Sequence, residues 1–145
     1  MLQRIMIMGE RGAGRRSLAR ALGQAPAFMP QPMAVEYAGR FVVPPPEFLE
    51  NRRFYRALIT TAADCRCLLF VQDASRRTSA FPPGLARIFN RHVIGIITKI
   101  DLPDASPDRA ARFLHQAGLQ AVYALSTASG EGLDSLRSCE PALFA

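Results

Sequence analysis

The residues best suited to chemistry lie near the N-terminus, where an apolar run ends at Gly9 and a glycine-rich turn leads into a helical pattern. In a P-loop, the backbone N–H groups of such a turn and the start of the following helix surround a phosphate group. The pattern G-x-x-x-x-G-K-[ST] is met here only at Gly9 and Gly14. The turn predicts a phosphate cradle formed by Gly9, Glu10, Arg11, Gly12, Ala13, Gly14, Arg15, Arg16 and Ser17.

The cradle departs from the motif at the positions that matter most for phosphate and metal. Arg15 stands at the lysine position, and its planar fork cannot reach between two phosphates as a point charge does. Arg16 replaces the magnesium-binding hydroxyl and would repel the metal, while Ser17 comes one residue late and is turned by about 100° on the helix. We expect a site without metal ligands. Taken alone, the turn is equally well explained as a glycine-rich connection between a strand and a helix.

A second motif follows the apolar run at residues 93–97 and consists of Thr98, Lys99, Ile100 and Asp101. It matches the [NT]-K-x-D sequence with which GTPases read guanine. Asp101 would accept hydrogen bonds from N1–H and the 2-amino group of guanine, which adenine does not offer, and the stem of Lys99 would lie along the base. By itself, an aspartate in this position is also an ordinary helix-approach cap.

A third segment, residues 125–133, resembles the last GTPase motif, S-A-x-x-G-x-G-[IL]. A backbone N–H near Thr127 or Ala128, after Ser126, would bind guanine O6. Alone, the segment is better explained as a loop that caps the last helix. The order and spacing of the three motifs together favour a site for GTP or GDP, with ATP as the alternative, bound without Mg²⁺.

The periodicity of the chain predicts the elements that position these loops. Short apolar runs alternate with helical patterns, which favours a parallel α/β sheet with helices on both faces in one domain over residues 1–145. The predicted strands are residues 3–8, 34–37, 40–43, 68–71, 92–97 and 121–125. The predicted helices are residues 15–24, 50–63, 83–90, 106–117 and 131–138.

Composition restricts the classes of partner. Of 18 basic residues only Lys99 is a lysine, and against 12 acidic residues they give a net charge of +6. The arginines are scattered rather than striped, so no specific nucleic-acid surface is expected. No apolar stretch approaches the roughly 20 residues that span a bilayer. We expect a cytoplasmic protein with no membrane contact, in which Cys65, Cys67 and Cys139 are reduced thiols that pack structurally.

Three runs point to a narrower family: residues 33–37 (MAVEY), 53–61 (RFYRALITT) and 97–105 (ITKIDLPDA). They resemble the EutP/PduV family of ethanolamine and propanediol utilisation, and the resemblance covers roughly residues 3 to 137. It implies a Ras-like P-loop NTPase fold, with three α/β/α layers and a mostly parallel sheet. It also implies a place beside a bacterial microcompartment, with shell or cargo proteins as partners.

Departures from the family pattern fall on the metal side of the site. The switch I threonine aligns near Pro32, and the D-T-P-G segment aligns with Val43, Pro44, Pro45 and Pro46. These changes remove the carboxylate that holds Mg²⁺ through water and the glycine N–H that senses the third phosphate, because proline has no N–H. The three prolines favour a stiff polyproline II segment. We assign no catalytic residue and no metal ligand.

The sequence thus favours a degenerate GTPase-like accessory protein with a degenerate Walker A motif, which binds nucleotide weakly or not at all. Arg15 and Arg16 would act as compensating cations if nucleotide binds. One rival is an active nucleotide-dependent hydrolase or phosphotransferase, either a GTPase or a small-molecule kinase, that uses these two arginines. Another is a basic module that binds polyanions, which a clustering of arginines on one face would favour.

Overall fold

A single sheet organises the computed structural model, which describes residues 3–23 and 33–144. Its strands are β1 (Arg4–Gly9), β2 (Glu36–Ala38), β3 (Phe41–Val43), β4 (Cys65–Asp73), β5 (His92–Thr98) and β6 (Val122–Ala124). Their order is β2-β3-β1-β4-β5-β6. Only β2 and β3 pair antiparallel, and the other neighbours are parallel. The expected mostly parallel sheet is confirmed.

Helices cover both faces of the sheet. They are α1 (Arg15–Leu22), α2 (Glu47–Glu50), α3 (Tyr55–Ala62), α4 (Pro107–Gln116) and α5 (Leu133–Cys139), with short 3-10 turns at Arg52–Phe54, Leu85–Ile88 and Pro141–Leu143. Within the described residues, the helices are too short or too polar to cross a membrane.

The side chains of β1 alternate between the two faces of the sheet, and this alternation divides the core into two layers. Met6 and Met8 pack with side chains from α3 and α4, such as Leu58 and Leu114, whereas Ile5 and Ile7 belong to the opposite cluster with residues of α1 and α5. Successive strand residues point to opposite faces, so a parallel strand buried on both sides reads as an unbroken apolar run. The three-layer α/β/α arrangement follows from this pattern.

Two predicted helices are wrong in extent because the backbone breaks them. Only a 3-10 turn forms within residues 83–90, since Gly84 is left-handed and Phe89 is already extended. The predicted helix 50–63 is divided at Asn51, whose extended backbone ends α2 and whose side chain accepts a hydrogen bond from the Arg53 N–H. Pro46 is helical, with φ −60° and ψ −26°, so the expected polyproline II conformation does not extend through it.

The cysteines occupy two kinds of environment. Cys65 and Cys67 are buried on β4, and Cys139 is exposed at the end of α5; all three are free thiols. Burial raises the pKa of Cys65 and of Cys67 to about 11. The thiolate is the reactive form, so the two buried residues are inert at neutral pH.

We predict that iodoacetamide at pH 8 labels one thiol of the native protein, Cys139, and three after denaturation in guanidinium. Mass spectrometry of the alkylated chain measures this, and rapid native labelling of Cys65 or Cys67 would contradict it.

The raised pKa of these two thiols also affects stability. Because their folded-state pKa lies above the unfolded value, the free energy of unfolding falls as pH rises from 9.0 toward about 11, since the unfolded chain loses these protons first.

Gly132, which precedes α5, occupies a position where the backbone requires a glycine. It has φ +84°, and a Cβ there would overlap the carbonyl oxygen of Ala124 and lie 3.0 Å from Cα of Leu125. Gly130 has a similar φ of +82° but nothing within 4 Å of such a Cβ.

Gly132→Ala should therefore destabilise the protein more than Gly130→Ala. Both substitutions cost about 1–2 kcal/mol for the left-handed backbone, and Gly132→Ala adds roughly 1–3 kcal/mol for the clash. Urea unfolding of the two variants measures the difference in free energy of unfolding. Equal destabilisation would show that the loop relaxes around the new methyl group.

Candidate functional site

The turn between β1 and α1 has the backbone of a phosphate cradle. A Cβ at Gly9 would lie 2.9 Å from the carbonyl oxygen of Val71, so only glycine lets β1 pass β4 this closely. Gly12 and Gly14 have φ of +81° and +94°, which L side chains rarely adopt. No side chain caps α1 at Gly14 and its first turn holds no acidic residue, which leaves the helix start open to an anion.

Two open lobes meet at Arg15 and Arg16. The first, here called the Lys99 lobe, has a volume of about 310 Å³ and is lined by Gly12, Gly14, Arg15, Arg16, Ser17 and Lys99. The second, the proline lobe, has a volume of about 600 Å³ and is lined among others by Arg11, Arg15, Arg16, Glu36, Glu47 and residues 44–46. The Lys99 lobe therefore holds three cations without a carboxylate, whereas the proline lobe holds three cations and two carboxylates.

Each arginine of the turn already has a partner on the proline side. Arg15 donates from Nη1 to the carbonyl oxygen of Pro44 at 2.6 Å. Arg16 forms a two-point ion pair with Glu36, of which the Nε–Oε2 bond is 3.0 Å. Arg11 pairs with Glu47 at the rim. Sequence reasoning named the arginines but missed Glu36 and Glu47, because 20 and 36 residues separate the partners in the chain.

Burial and the neighbouring Arg16 lower the pKa of Arg15, and Glu36 opposes the shift. The guanidinium nevertheless stays charged, because an arginine side chain does not lose its proton in a protein. The side chain of Glu36 is only 9% exposed, against 43% for Arg16. The carboxylate is thus sheltered from solvent although its partner is exposed, and removing Arg16 would leave a nearly buried charge without its cation.

The donor chemistry does not fit Mg²⁺ on this side. The metal needs oxygen ligands in an octahedron, but Arg16 stands where the motif supplies a hydroxyl group, and Val43 stands where the family pattern supplies a carboxylate. Glu36 lies opposite Val43 in the antiparallel register, so a carboxylate is close to the position that lacks one, but its oxygens are bound to Arg16. No cluster of three His, Cys, Asp or Glu suited to a metal occurs within the parts of the chain described.

The second motif is tied directly to the phosphate turn. Thr98 Oγ1 donates to the carbonyl oxygen of Ala13 at 2.7 Å, and Lys99 Nζ donates to that of Gly12 at 2.5 Å. Lys99 has φ +62°, an uncommon conformation for a side chain this long, and Nζ also lies 3.4 Å from Oδ2 of the buried Asp73. Residues of the strain-prone left-handed region cluster at functional sites.

The third motif holds the aspartate of the second. Ser126 Oγ donates to Asp101 Oδ1 at 2.8 Å, and it accepts a hydrogen bond from the Ser129 N–H at 3.2 Å. Ser126 is 1% exposed, while Asp101, Thr127 and Ala128 face solvent. One carboxylate oxygen is therefore hydrogen-bonded within the protein, and the carboxylate remains exposed to solvent.

Arg76 is a further contact that the sequence did not reveal. Its Nη1 lies 2.8 Å from Oε2 of Glu10, and its Nη2 donates to the carbonyl oxygen of Arg11 at 2.7 Å. Arg109 of α4 in turn donates from Nε to the carbonyl oxygen of Arg76 at 3.1 Å. Arg76 thus connects the turn between β1 and α1, at Glu10 and Arg11, to Arg109 of α4. Pro32, expected at the switch I position, lies outside the described residues.

Comparison with solved structures identifies the fold. The chain matches the G domain of the FeoB iron transporter of T. maritima with a TM-score of 0.61, at 18% identity over 99% of both chains. It matches translation elongation factor SelB from Methanococcus maripaludis, in complex with the GTP analogue GppNHp, with a TM-score of 0.60 at 19% identity over 99% of this chain and 34% of that one. The expected P-loop GTPase-like fold is confirmed.

Sequence comparison gives the family. The family model PduV-EutP, described as ethanolamine utilisation - propanediol utilisation, matches residues 2–139. The chain is 33% identical to propanediol utilization protein PduV of Citrobacter freundii over 138 residues, which are 93% of this chain and 91% of that protein. It is 32% identical over 121 residues to the probable acetate kinase EutP of Escherichia coli (strain K12), covering 82% of this chain and 76% of that protein. The protein therefore belongs to the PduV-EutP family of ethanolamine and propanediol utilisation.

Proposed function

We propose that this protein is a GTPase-like accessory protein of ethanolamine or propanediol utilisation that binds a guanine nucleotide weakly, without Mg²⁺, and does not hydrolyse it. The observation that carries the proposal is the Arg16–Glu36 pair. A guanidinium stands at the position of the metal-binding hydroxyl, and a carboxylate beside it is consumed in that pair. A cation and an anion of the chain itself thus take the place of the metal and its ligand.

The base-reading side supports guanine. Asp101 is held by Ser126, and the stem of Lys99 runs from its loop to the carbonyl oxygen of Gly12 beside the phosphate turn. A carboxylate offers a ligand only hydrogen-bond acceptors, which matches the N1–H and 2-amino donors of guanine, and the serine hydroxyl helps to hold it in place. The Lys99 lobe would receive the phosphates, where Arg15, Arg16 and Lys99 supply positive charge.

The phosphate side argues against turnover. Phosphoryl transfer relies on Mg²⁺ and on cations positioned at the group in flight. Here Arg15 is hydrogen-bonded to Pro44 O, and the proline run removes the N–H group that would contact the third phosphate. We infer that the protein acts through contacts with shell or cargo proteins of a microcompartment, in keeping with the utilisation pathways named by its family.

A phosphotransferase is the second candidate, favoured by one observation: the Escherichia coli relative is named a probable acetate kinase. This chain would need Arg15 and Arg16 to replace both lysine and metal in such a reaction. Their engagement with Pro44 and Glu36 counts against that role.

The polyanion-binding alternative gains no support from the placement of the arginines. Arg20 and Arg137 lie on α1 and α5, on one face of the sheet, while Arg56 and Arg112 lie on α3 and α4, on the other. Charge spread over both faces does not form a stripe along which a nucleic-acid backbone could lie.

Asp101→Asn tests whether Asp101 reads the base, because the substitution is expected to change the specificity for the base rather than to abolish nucleotide binding. The amide keeps one acceptor but turns the other oxygen into a donor, which suits the 2-carbonyl of xanthine and not the 2-amino group of guanine. We expect GDP affinity to fall by roughly 10- to 100-fold, as one or two lost hydrogen bonds imply, and affinity for xanthosine diphosphate to rise. Titration calorimetry measures both, and equal GDP affinity in the variant would exclude Asp101 from the site.

The absence of turnover is tested by incubating the protein with GTP or ATP, Mg²⁺ and acetate. We expect neither phosphate release nor acetyl phosphate above the level given by an Arg15→Ala preparation, which controls for contaminating enzymes. Turnover by the wild type that Arg15→Ala removes would overturn the proposal in favour of the phosphotransferase or hydrolase.

A further inference from the structure

The two lobes differ in the groups that they would present to the phosphates of a nucleotide. In a P-loop, the side chain at the lysine position reaches the second and third phosphates, and the next residue lies beside them. Those positions hold Arg15 and Arg16, whose partners Pro44 and Glu36 line the proline lobe and not the Lys99 lobe. A third phosphate would therefore meet a carbonyl oxygen and a carboxylate that already occupy the two cations.

Glu36 is well placed to act as a fixed internal anion. It lies on β2 and grips Arg16 through both carboxylate oxygens. Its side chain is 9% exposed, so solvent screens its charge little. Glu47 adds a second carboxylate to the same lobe. Without Mg²⁺ to neutralise the third phosphate of a triphosphate, these two carboxylates would repel it from the proline lobe. A diphosphate would end in the Lys99 lobe and would not approach them.

We propose that Glu36 makes the site selective for nucleoside diphosphates over triphosphates, an inference that rests on the proposed binding of guanine nucleotide. The carboxylate is bound to Arg16, so a third phosphate directed at that arginine would meet a like charge. The protein would therefore bind GDP in preference to GTP, and no exchange of one nucleotide for the other would drive it between two states.

The test is calorimetric titration of the full chain with GDP and with GTP in excess EDTA. We expect GDP to bind about tenfold more tightly than GTP or better, since one like charge a few ångströms away costs at least that factor in a partly screened site. Glu36→Gln, which keeps the shape and removes the charge, should reduce the ratio to about threefold or less. Glu50→Gln is the matched control, because Glu50 is exposed on α2 and lines neither lobe.

A second variant protects the test if Glu36→Gln does not fold, as circular dichroism would reveal. Arg16→Gln leaves Glu36 without its cation and should widen the preference for GDP. Equal affinity for GDP and GTP in the wild type, or an unchanged ratio in Glu36→Gln, would overturn this inference while leaving nucleotide binding intact. Failure of both nucleotides to bind would instead overturn the proposed nucleotide binding and this inference with it.

Discussion

Repulsion among the arginines at the start of α1 is the constraint on which the site depends. Arg15 and Arg16 begin a helix whose N-terminus is itself positive, and no acidic residue lies in its first turn. Negative partners must therefore come from elsewhere in the chain. They come from Glu36 on β2, the carbonyl oxygen of Pro44 after β3, and Glu47 on α2, which binds the nearby Arg11. Charge neutralisation thus fixes the β2–β3–α2 segment to the phosphate turn.

That attachment has a consequence for the motion of the segment. In GTPases the corresponding loops reorder when the third phosphate and its metal arrive or leave. Here internal contacts hold the segment, and the carbonyl and carboxylate groups that hold it would compete with a third phosphate for the same arginines. The loops proposed to read the base take no part in this competition, since Thr98 and Lys99 donate to the backbone carbonyl groups of Ala13 and Gly12, and Ser126 donates to Asp101. The loops around Asp101 are held in place by hydrogen bonds within the protein, while the positive charge of the arginines is offset by groups of the chain itself.

Local patterns predicted much of the fold. The predicted ends of the strands before Gly9 and Thr98 agree with the structure within a residue or two, because short apolar runs that end at turn or polar residues indicate buried strands and each motif is contiguous in sequence. The predicted helix at 83–90 is wrong in extent, since left-handed Gly84 and extended Phe89 limit it to a single 3-10 turn. The partners of the arginines were missed for a different reason: a pair such as Arg16 and Glu36 is brought together by strand register, which composition and spacing do not encode. Arg76 had no sequence signal at all, because its role depends on where the loop after β4 passes the phosphate turn.

We propose that an arginine–carboxylate pair, Arg16 and Glu36, takes the place of the metal of a P-loop site. The most direct test is to measure GDP affinity of the wild-type protein by calorimetry in excess Mg²⁺ and in excess EDTA. The account predicts the same dissociation constant within about twofold, since no ligand set remains for Mg²⁺ to bridge. Tightening by Mg²⁺ of about tenfold or more would contradict it, because the metal would then have displaced Arg16 from Glu36 or found other ligands.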